Sequence, residues 1–163
     1  MLQTRTRAVG LAALVLAAVS SAAAVFEPGI TATDEVAVVH LYRPAAQQPG
    51  LAKPLRRAYP EVMLDDVSVG TLPYNHYLSF HVPPGEHTVR VTGLTKAAKN
   101  WELRDVAQKI AAEPGQILFL RLKVEFNTQE MNIGQPKPSY RYWLGPVDPQ
   151  DAQYEIRDTK PVR

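Results

Sequence analysis

The run from Val62 to Val91 most constrains the fold, because it predicts four short strands separated by tight turns. Two strands meet at Asp65-Asp66, since aspartates accept backbone hydrogen bonds and tolerate left-handed geometry. The other two meet at residues 83–86, and a four-residue loop there would pair Val82 with His87. That register predicts a hairpin with one apolar face, made by Leu78, Phe80, Val82, Val89 and Val91.

Apolar patterns on either side of this run predict further strands. Glu35 to Tyr42 is apolar on both faces, which is typical of a central strand, and Ile117 to Phe126 predicts a long strand. Residues 105–112 are favoured as a strand that forms a hairpin with Ile117 to Phe126. A helix is the alternative for residues 94–112, since apolar residues also recur there at helical spacing.

The C-terminal part predicts one aromatic strand and one short helix. Tyr140 to Leu144 forms the strand, and Gly145-Pro146 is expected to end it. Ala152 and Ile156 are spaced for one short turn of helix in the tail. With about seven short strands and no βαβ alternation, we predict an all-β fold, an antiparallel β-sandwich.

Residues 1–24 have the organisation of a secretory signal peptide. Arg5 and Arg7 precede an uncharged apolar run over Ala8–Val19, and Ala22-Ala23-Ala24 offers a cleavage site before Val25. An uncleaved membrane anchor is the alternative. The expected order is therefore a signal peptide over 1–24, a linker over 25–34, one domain over 35–157 and a tail over 158–163.

Charge and cysteine content restrict the partners of the exported chain. Cleavage after Ala24 removes two of the 18 basic residues and none of the 16 acidic ones, which leaves 16 of each. This neutrality argues against a nucleic-acid partner, which needs a concentrated basic surface. The chain has no cysteine, so we expect neither disulfides nor an N-terminal lipid in the periplasm or cell envelope.

No grouping of reactive residues predicts catalysis, and none predicts a metal or cofactor. His81 and His87 lie on opposite faces of the predicted hairpin, whereas a metal site needs three or four converging ligands. Asp65 and Asp66 are adjacent in the chain, so their side chains diverge instead of meeting at one substrate. The sequence predicts that the protein is not an enzyme.

Aromatic residues and loop cations are the candidates for a partner-binding surface. Residues 44–60 contain four of the 14 prolines and are predicted to form a long surface loop. Tyrosine and tryptophan anchor interfaces and stack on sugars. The alternatives are core packing for the aromatic residues and solvated charge for the loop cations. The candidate surface consists of Trp101, Tyr140, Tyr142, Arg56 and Arg57.

Several turn-and-strand motifs resemble a known family. Leu64-Asp65-Asp66 with Val69-Gly70, and then the run Pro84 to Val89, resemble the I-D-G, V-G and P-G-x-H-x-V skeleton of PEGA-like surface modules. Val38 to Pro44 and Pro114 to Leu120 extend the likeness over residues 35–157. The pattern resembles a family of uncharacterised small bacterial envelope proteins of the lipoprotein type, which carry a domain of unknown function.

This resemblance implies a β-sandwich in the cell envelope and supplies no catalytic residues. Asp66 stands where the family usually has glycine, and the lipidated cysteine of such proteins is missing. We therefore expect an exported, non-enzymatic envelope module that binds a protein or glycan partner. Its expected contact surfaces are the loop over 45–60 and the aromatic edge around Trp101 and Tyr142.

Two other functions remain as hypotheses. A periplasmic hydrolase with an unrecognised site requires His40, His76 or His81 beside a carboxylate in a concave pocket. A structural protein held at the inner membrane requires an uncleaved leader. The basic loop is also a candidate for peripheral contact with phosphate groups at a membrane surface.

Overall fold

The computed structural model describes residue 26 and residues 29–46, 53–93, 103–126 and 140–163. The predicted signal peptide and Trp101 lie outside the described residues. The elements in chain order are β1 Ala37–Arg43, β2 Glu61–Leu64, β3 Val67–Thr71, β4 His76–Val82, β5 Gly85–Thr92, β6 Val106–Ala112, β7 Ile117–Phe126, β8 Tyr140–Pro146, α1 Pro149–Ile156 and β9 Lys160–Pro161.

Two sheets pack against each other and confirm the predicted all-β sandwich. One sheet has the strand order β8-β7-β1-β4-β9, and the other has the order β3-β2-β5-β6. Most pairings are antiparallel, whereas β1 with β7 and β4 with β9 are parallel. The prediction of a central first strand is also confirmed, because β1 lies between β7 and β4 and every residue in it is buried.

The main core lies between the sheets and is built from alternate residues of each strand. Its buried side chains come from both sheets, as strand periodicity requires. They include Val39, Leu41, Val62, Phe80, Val82, Val89, Val91, Leu120, Leu122 and Leu144.

The two predicted hairpins at proline-glycine turns are wrong. β4 pairs with β1, and β5 pairs with β2 and β6, so the chain crosses between the sheets at Pro83-Pro84. Likewise β6 and β7 lie in different sheets, although residues 106–112 do form the favoured strand. The apolar residues that the hairpin prediction placed on one face do line the core. Alternate residues of a strand point into the core whether two strands pair in one sheet or face each other across a sandwich.

The Asp65-Asp66 turn is confirmed as the connection between β2 and β3. Both residues have left-handed backbone angles, with φ of 47° at Asp65 and 69° at Asp66. Positive φ at both central residues matches the right-handed twist of the flanking strands. Local turn chemistry therefore fixes this connection.

The strand directions define two ends of the sandwich. The turn end consists of residues 65–66, 83–86 and 113–116, where short connections join successive strands, together with residues 33–36, which precede β1. The loop end consists of the described residues 44–46, 53–60, 72–75, 103–105 and 158–160, with the strand ends at Phe126 and Tyr140. The connections from β1 to β2, from β5 to β6 and from β7 to β8 each join strand ends at the loop end.

A second, smaller core lies on the outer face of the five-stranded sheet, under α1. Asp148 caps this helix by accepting a hydrogen bond from Gln150 N at 2.8 Å, and Pro149 opens its first turn. Ala152 and Ile156 are buried against Tyr42 and Phe119. The predicted C-terminal helix is thus present and covers part of the sheet. No helix among the described residues is long and apolar enough to cross a membrane.

Candidate binding surface at the loop end

The basic turn over Lys53–Ala58 is held in place from beneath by Arg43. The guanidinium of this last β1 residue is buried and donates three hydrogen bonds to backbone carbonyls of the turn. Nη1 lies 3.1 Å from Ala58 O, and Nη2 lies 3.1 Å from Pro54 O and 2.9 Å from Leu55 O. Charged donors make the stronger kind of hydrogen bond, so one side chain fixes three peptide groups.

Burial lowers the pKa of Arg43 to about 10, which still leaves the guanidinium charged at neutral pH. Its Cζ lies 5.5 Å from the centre of the Tyr74 ring, and Lys53 Nζ lies 6.0 Å from the same ring. The Tyr74 hydroxyl in turn accepts a hydrogen bond from Ala46 N at 2.8 Å. The ring therefore links the basic turn to the segment that follows β1.

The turn exposes the two candidate arginines. Arg56 and Arg57 point into solvent, whereas Leu55 packs against the core and Ala58 is buried. Leu55 has a left-handed φ of 48°, which is uncommon for a bulky residue and is retained here by core packing and the Arg43 bond. Tyr59, next to the two arginines, is 43% exposed.

Trp143 forms a fixed aromatic platform on the outer face of the five-stranded sheet. Its indole lies against Gly145, where an added Cβ would approach the ring to 2.2 Å. Arg121, which faces Gly145 in the β7–β8 register, places its Cζ 5.5 Å from the ring centre. The indole remains 44% exposed. A glycine two positions beyond the tryptophan therefore makes room for the ring on the strand.

An ion-paired network joins this platform to α1. Arg121 Nη1 donates to Glu155 Oε1 at 2.6 Å, and Tyr42 Oη donates to Glu155 Oε2 at 2.7 Å. Burial, with the bond to Glu155, raises the pKa of Tyr42 far above its ordinary range. The network keeps Arg121 beside Trp143.

The candidate tyrosines lie on the other face of β8. Tyr140 and Tyr142 are partly buried against the main core, with Arg104 Nε donating to Tyr142 Oη at 3.0 Å. This bond raises the pKa of Arg104. The loop end thus brings Tyr140, Tyr142, Arg56 and Arg57 to one end of the molecule, with only the arginines fully exposed.

Trp143 was not among the residues predicted to form the surface. The sequence carries a signal for it in the spacing of Trp143 and Gly145, but the expected strand end at Gly145 excluded that glycine from the predicted strand. A small residue beside a large aromatic one on the same face indicates close ring-to-backbone packing.

The histidines occupy separate structural positions. Buried His40 places Nδ1 2.7 Å from Ser79 Oγ, and burial lowers its pKa to about 4. His76 and His81 hydrogen bond to the backbone carbonyls of Tyr74 and Thr31. Among the residues that the structure describes, no three His, Cys, Asp or Glu side chains form a group that could hold a metal.

His87 connects the two sheets at the turn end. Its Nδ1 lies 2.5 Å from Asp65 Oδ2, and its Nε2 lies 2.9 Å from Pro83 O. The bond to His87, together with one from Thr88 N, lowers the pKa of Asp65.

Neither protein-family models, nor curated proteins, nor solved structures give a match to this chain. The PEGA-like resemblance therefore stays a prediction from its turn-and-strand motifs.

Proposed function

We propose that this chain is an exported, non-enzymatic module of the bacterial cell envelope that binds a protein or glycan partner on the outer face of its five-stranded sheet, beside the loop end. The observation that carries the proposal is the Trp143 platform, whose indole is packed on Gly145 and still 44% exposed. A rigid aromatic side chain loses little conformational entropy on binding and supplies a large contact area.

The surroundings of Trp143 suit such a contact. Lys123 lies opposite Trp143 in the β7–β8 register and forms an ion pair with Glu125 at 2.9 Å. Arg121 is paired with Glu155. An aromatic surface bordered by polar side chains is the usual arrangement of a binding patch. β8 is also the last strand on its side of the described sheet, so its outer edge is a position where another chain could pair.

The positions of the histidines support a binding role over hydrolysis. His40, His76 and His81 were the candidates for a hydrolase site, and their hydrogen-bond partners are one hydroxyl and two backbone carbonyls. A general base needs instead to face a substrate and be oriented by a third group. Export rests on the signal-peptide pattern of residues 1–24.

Photocrosslinking in intact cells tests the contact surface. A photoreactive amino acid replaces Lys123, beside the platform, or Glu86, an exposed residue at the turn end, as the matched control. We expect adducts from position 123 and none from position 86. A protein adduct is identified by mass, and a glycan adduct by its sensitivity to glycosidases.

Trp143→Ala, added to the chain with the probe at 123, is expected to reduce the adduct at least about tenfold, as loss of an aromatic anchor does. Equal adducts from positions 123 and 86, or an adduct that survives Trp143→Ala, would contradict the proposed surface.

The N-terminus of the same recovered protein tests export. A chain beginning at Val25 in the periplasmic fraction supports the proposal. An intact Met1 in the membrane fraction, without adducts, favours the anchored structural protein instead.

A further inference from the structure

Exposed charge is separated between the two ends of the sandwich. Of the described residues, those exposed at the turn end include a set of carboxylates: Asp34, Glu35, Asp65, Asp66, Glu86 and Glu113. Those exposed at or beside the loop end include the carboxylate of Asp158 and a larger set of cations: Lys53, Arg56, Arg57, Arg104, Lys123, Arg141 and Lys160. Among the described residues, the loop end is therefore predominantly basic and the turn end predominantly acidic.

Ion pairing reduces this separation only in part. At the turn end Asp66 pairs with Arg90, and Asp65 pairs with His87. At or beside the loop end Glu125 pairs with Lys123, Asp158 pairs with Arg157 at 3.8 Å, and Glu61 is buried. No ion pair to Arg56 or Arg57 is present among the described residues. The turn Lys53–Ala58 is therefore the most basic part of the loop end.

The geometry of this turn is fixed before any ligand arrives. Arg43 holds three of its carbonyls, and Ala58 N donates to Leu55 O at 2.9 Å within the turn. The backbone that carries Arg56 and Arg57 is thus already ordered, so little backbone entropy is lost on binding. Because the carbonyls are directed inward to Arg43, the outer side presents the two guanidinium groups.

The aromatic neighbour of this turn indicates the kind of surface that it fits. Tyr59 follows the two arginines and is 43% exposed. Arginine and lysine favour phosphate groups, and tyrosine is enriched where an apolar layer meets water. A basic turn with an exposed tyrosine therefore matches the headgroup layer of a membrane that contains anionic phospholipid.

We propose that the loop end docks on an anionic phospholipid surface through the turn Lys53–Ala58, with Arg56 and Arg57 on the lipid phosphates and Tyr59 at the headgroup layer. The acidic turn end is repelled by the same surface, so the molecule binds in one orientation. This contact adds a membrane to the proposed function and depends on that function only for the export of the chain.

Vesicle sedimentation of the protein recovered from the cell envelope tests the contact. Vesicles of phosphatidylglycerol with phosphatidylcholine are compared with vesicles of phosphatidylcholine alone at low salt. We expect binding to the anionic vesicles only. A cation near such a surface contributes about fivefold in affinity, so Arg57→Gln should weaken binding about fivefold, and adding Arg56→Gln should weaken it about 25-fold.

Lys109→Gln is the matched control, because Lys109 is exposed in the middle of β6, away from the loop end, and its loss changes net charge equally. We expect it to leave vesicle binding unchanged. Equal losses from Arg57→Gln and Lys109→Gln would overturn the proposal, because net charge alone would then explain binding.

Inorganic phosphate, compared with chloride at equal ionic strength, separates a membrane site from a site for the free anion. We expect the two salts to weaken vesicle binding equally. Specific displacement by phosphate would assign the turn to free phosphate and overturn the membrane contact. If the protein does not bind the anionic vesicles but still forms the adduct at position 123, the membrane contact is contradicted and the proposed function is not.

Discussion

The two ends of the sandwich are stabilised by different kinds of contact. At the turn end, each connection is short, and at Asp65-Asp66 left-handed backbone angles combine with an exposed carboxylate that bonds to His87 and Thr88. At the loop end, the turn Lys53–Ala58 depends on Arg43, which lies ten or more positions earlier in the chain. Tight turn geometry stabilises one end, and a buried guanidinium stabilises the other.

This difference separates a structural end of the domain from the end beside which we propose binding. The turn end joins the sheets, because His87 connects the Asp65 turn to Pro83. The loop end carries the exposed arginines of the basic turn and lies toward Trp143. Binding residues on connections that a rigid scaffold positions are common in β-sandwiches.

The largest expected effect on stability comes from a substitution at the loop end. Arg43→Met keeps the apolar volume but leaves three carbonyls, two of them in buried hydrogen bonds, without their donor, so we expect the free energy of unfolding to fall by about 3 kcal/mol or more. Urea denaturation measures the change. Arg57→Met is the control, since exposed Arg57 should change stability by about 0.5 kcal/mol at most. Equal effects from the two variants would show that Arg43 does not support the turn.

The pH dependence of stability distinguishes His40, in the middle of the molecule, from Asp65 at the turn end. Burial lowers the pKa of His40 to about 4 from an ordinary 6.5, so the unfolded chain binds a proton in this interval and the folded chain does not. Stability should therefore fall by about 3 kcal/mol as the pH drops from 6.5 to 4. Urea denaturation across this interval measures it, and His40→Asn should flatten the dependence.

Asp65 affects stability over a separate and lower pH interval. Because its pKa is lowered from an ordinary value of 3.8, its contribution is present above that value and is lost as the pH falls through the folded pKa.

The pH titration of the His40 ring by NMR gives a second measurement for His40, which is used if the His40→Asn variant does not fold. A ring that titrates near pH 6.5 would contradict the buried neutral state.

Most strands, and which of their residues face the core, could be predicted from the sequence. Alternation in β4, β5 and β7 marks the inward residues, and proline-glycine pairs mark the chain reversals. Strand pairing could not be predicted, since Pro83-Pro84 fits a hairpin and a crossing between sheets equally well. The crossing places the same apolar faces against each other, so periodicity does not distinguish the two.

The candidate surface could be predicted only in part, for a related reason. Arg56 and Arg57 were identifiable as cations in a proline-rich loop. Arg43, at the end of an apolar strand, gives no local sign that it holds that loop. Gly145 was interpreted as a strand terminator, whereas β8 continues through it and Trp143 packs on it. Both relationships arise from contacts that form only in the folded sheet.

A smaller effect is expected at the platform. Gly145→Ala places a methyl group where the Trp143 indole lies, so the ring must leave the strand, at a cost of about 1 kcal/mol. Fluorescence of Trp143 in a Trp101→Phe background should shift to the red, and the adduct at position 123 should be lost. Gly29→Ala is the control, because nothing lies within 4 Å of its added Cβ. Unchanged fluorescence would refute the packed indole.

The smallest effect compares the same backbone geometry at both ends. Asp66 and Leu55 both have left-handed φ angles. Asp66→Gly relieves strain at a cost of one exposed ion pair, so we expect stability to rise by about 0.5 kcal/mol. Leu55→Gly also relieves strain but removes core packing, so stability should fall by about 1 kcal/mol. Melting temperatures measure the stability change in each variant. A change of the same sign in both variants would contradict the expected difference between the two ends.

The crossings between sheets also bear on how fast the chain folds. β1 pairs with β4 and β7, which both come much later in the chain. The short connections at Pro83-Pro84 and Pro114-Gly115 link strands of different sheets, so neither forms a hairpin that could nucleate early. Loop closure must therefore precede most of the stabilising contacts, and such topologies fold slowly. Slow folding leaves the chain unfolded for longer after synthesis, which would favour the passage through a translocation channel that the proposed export requires.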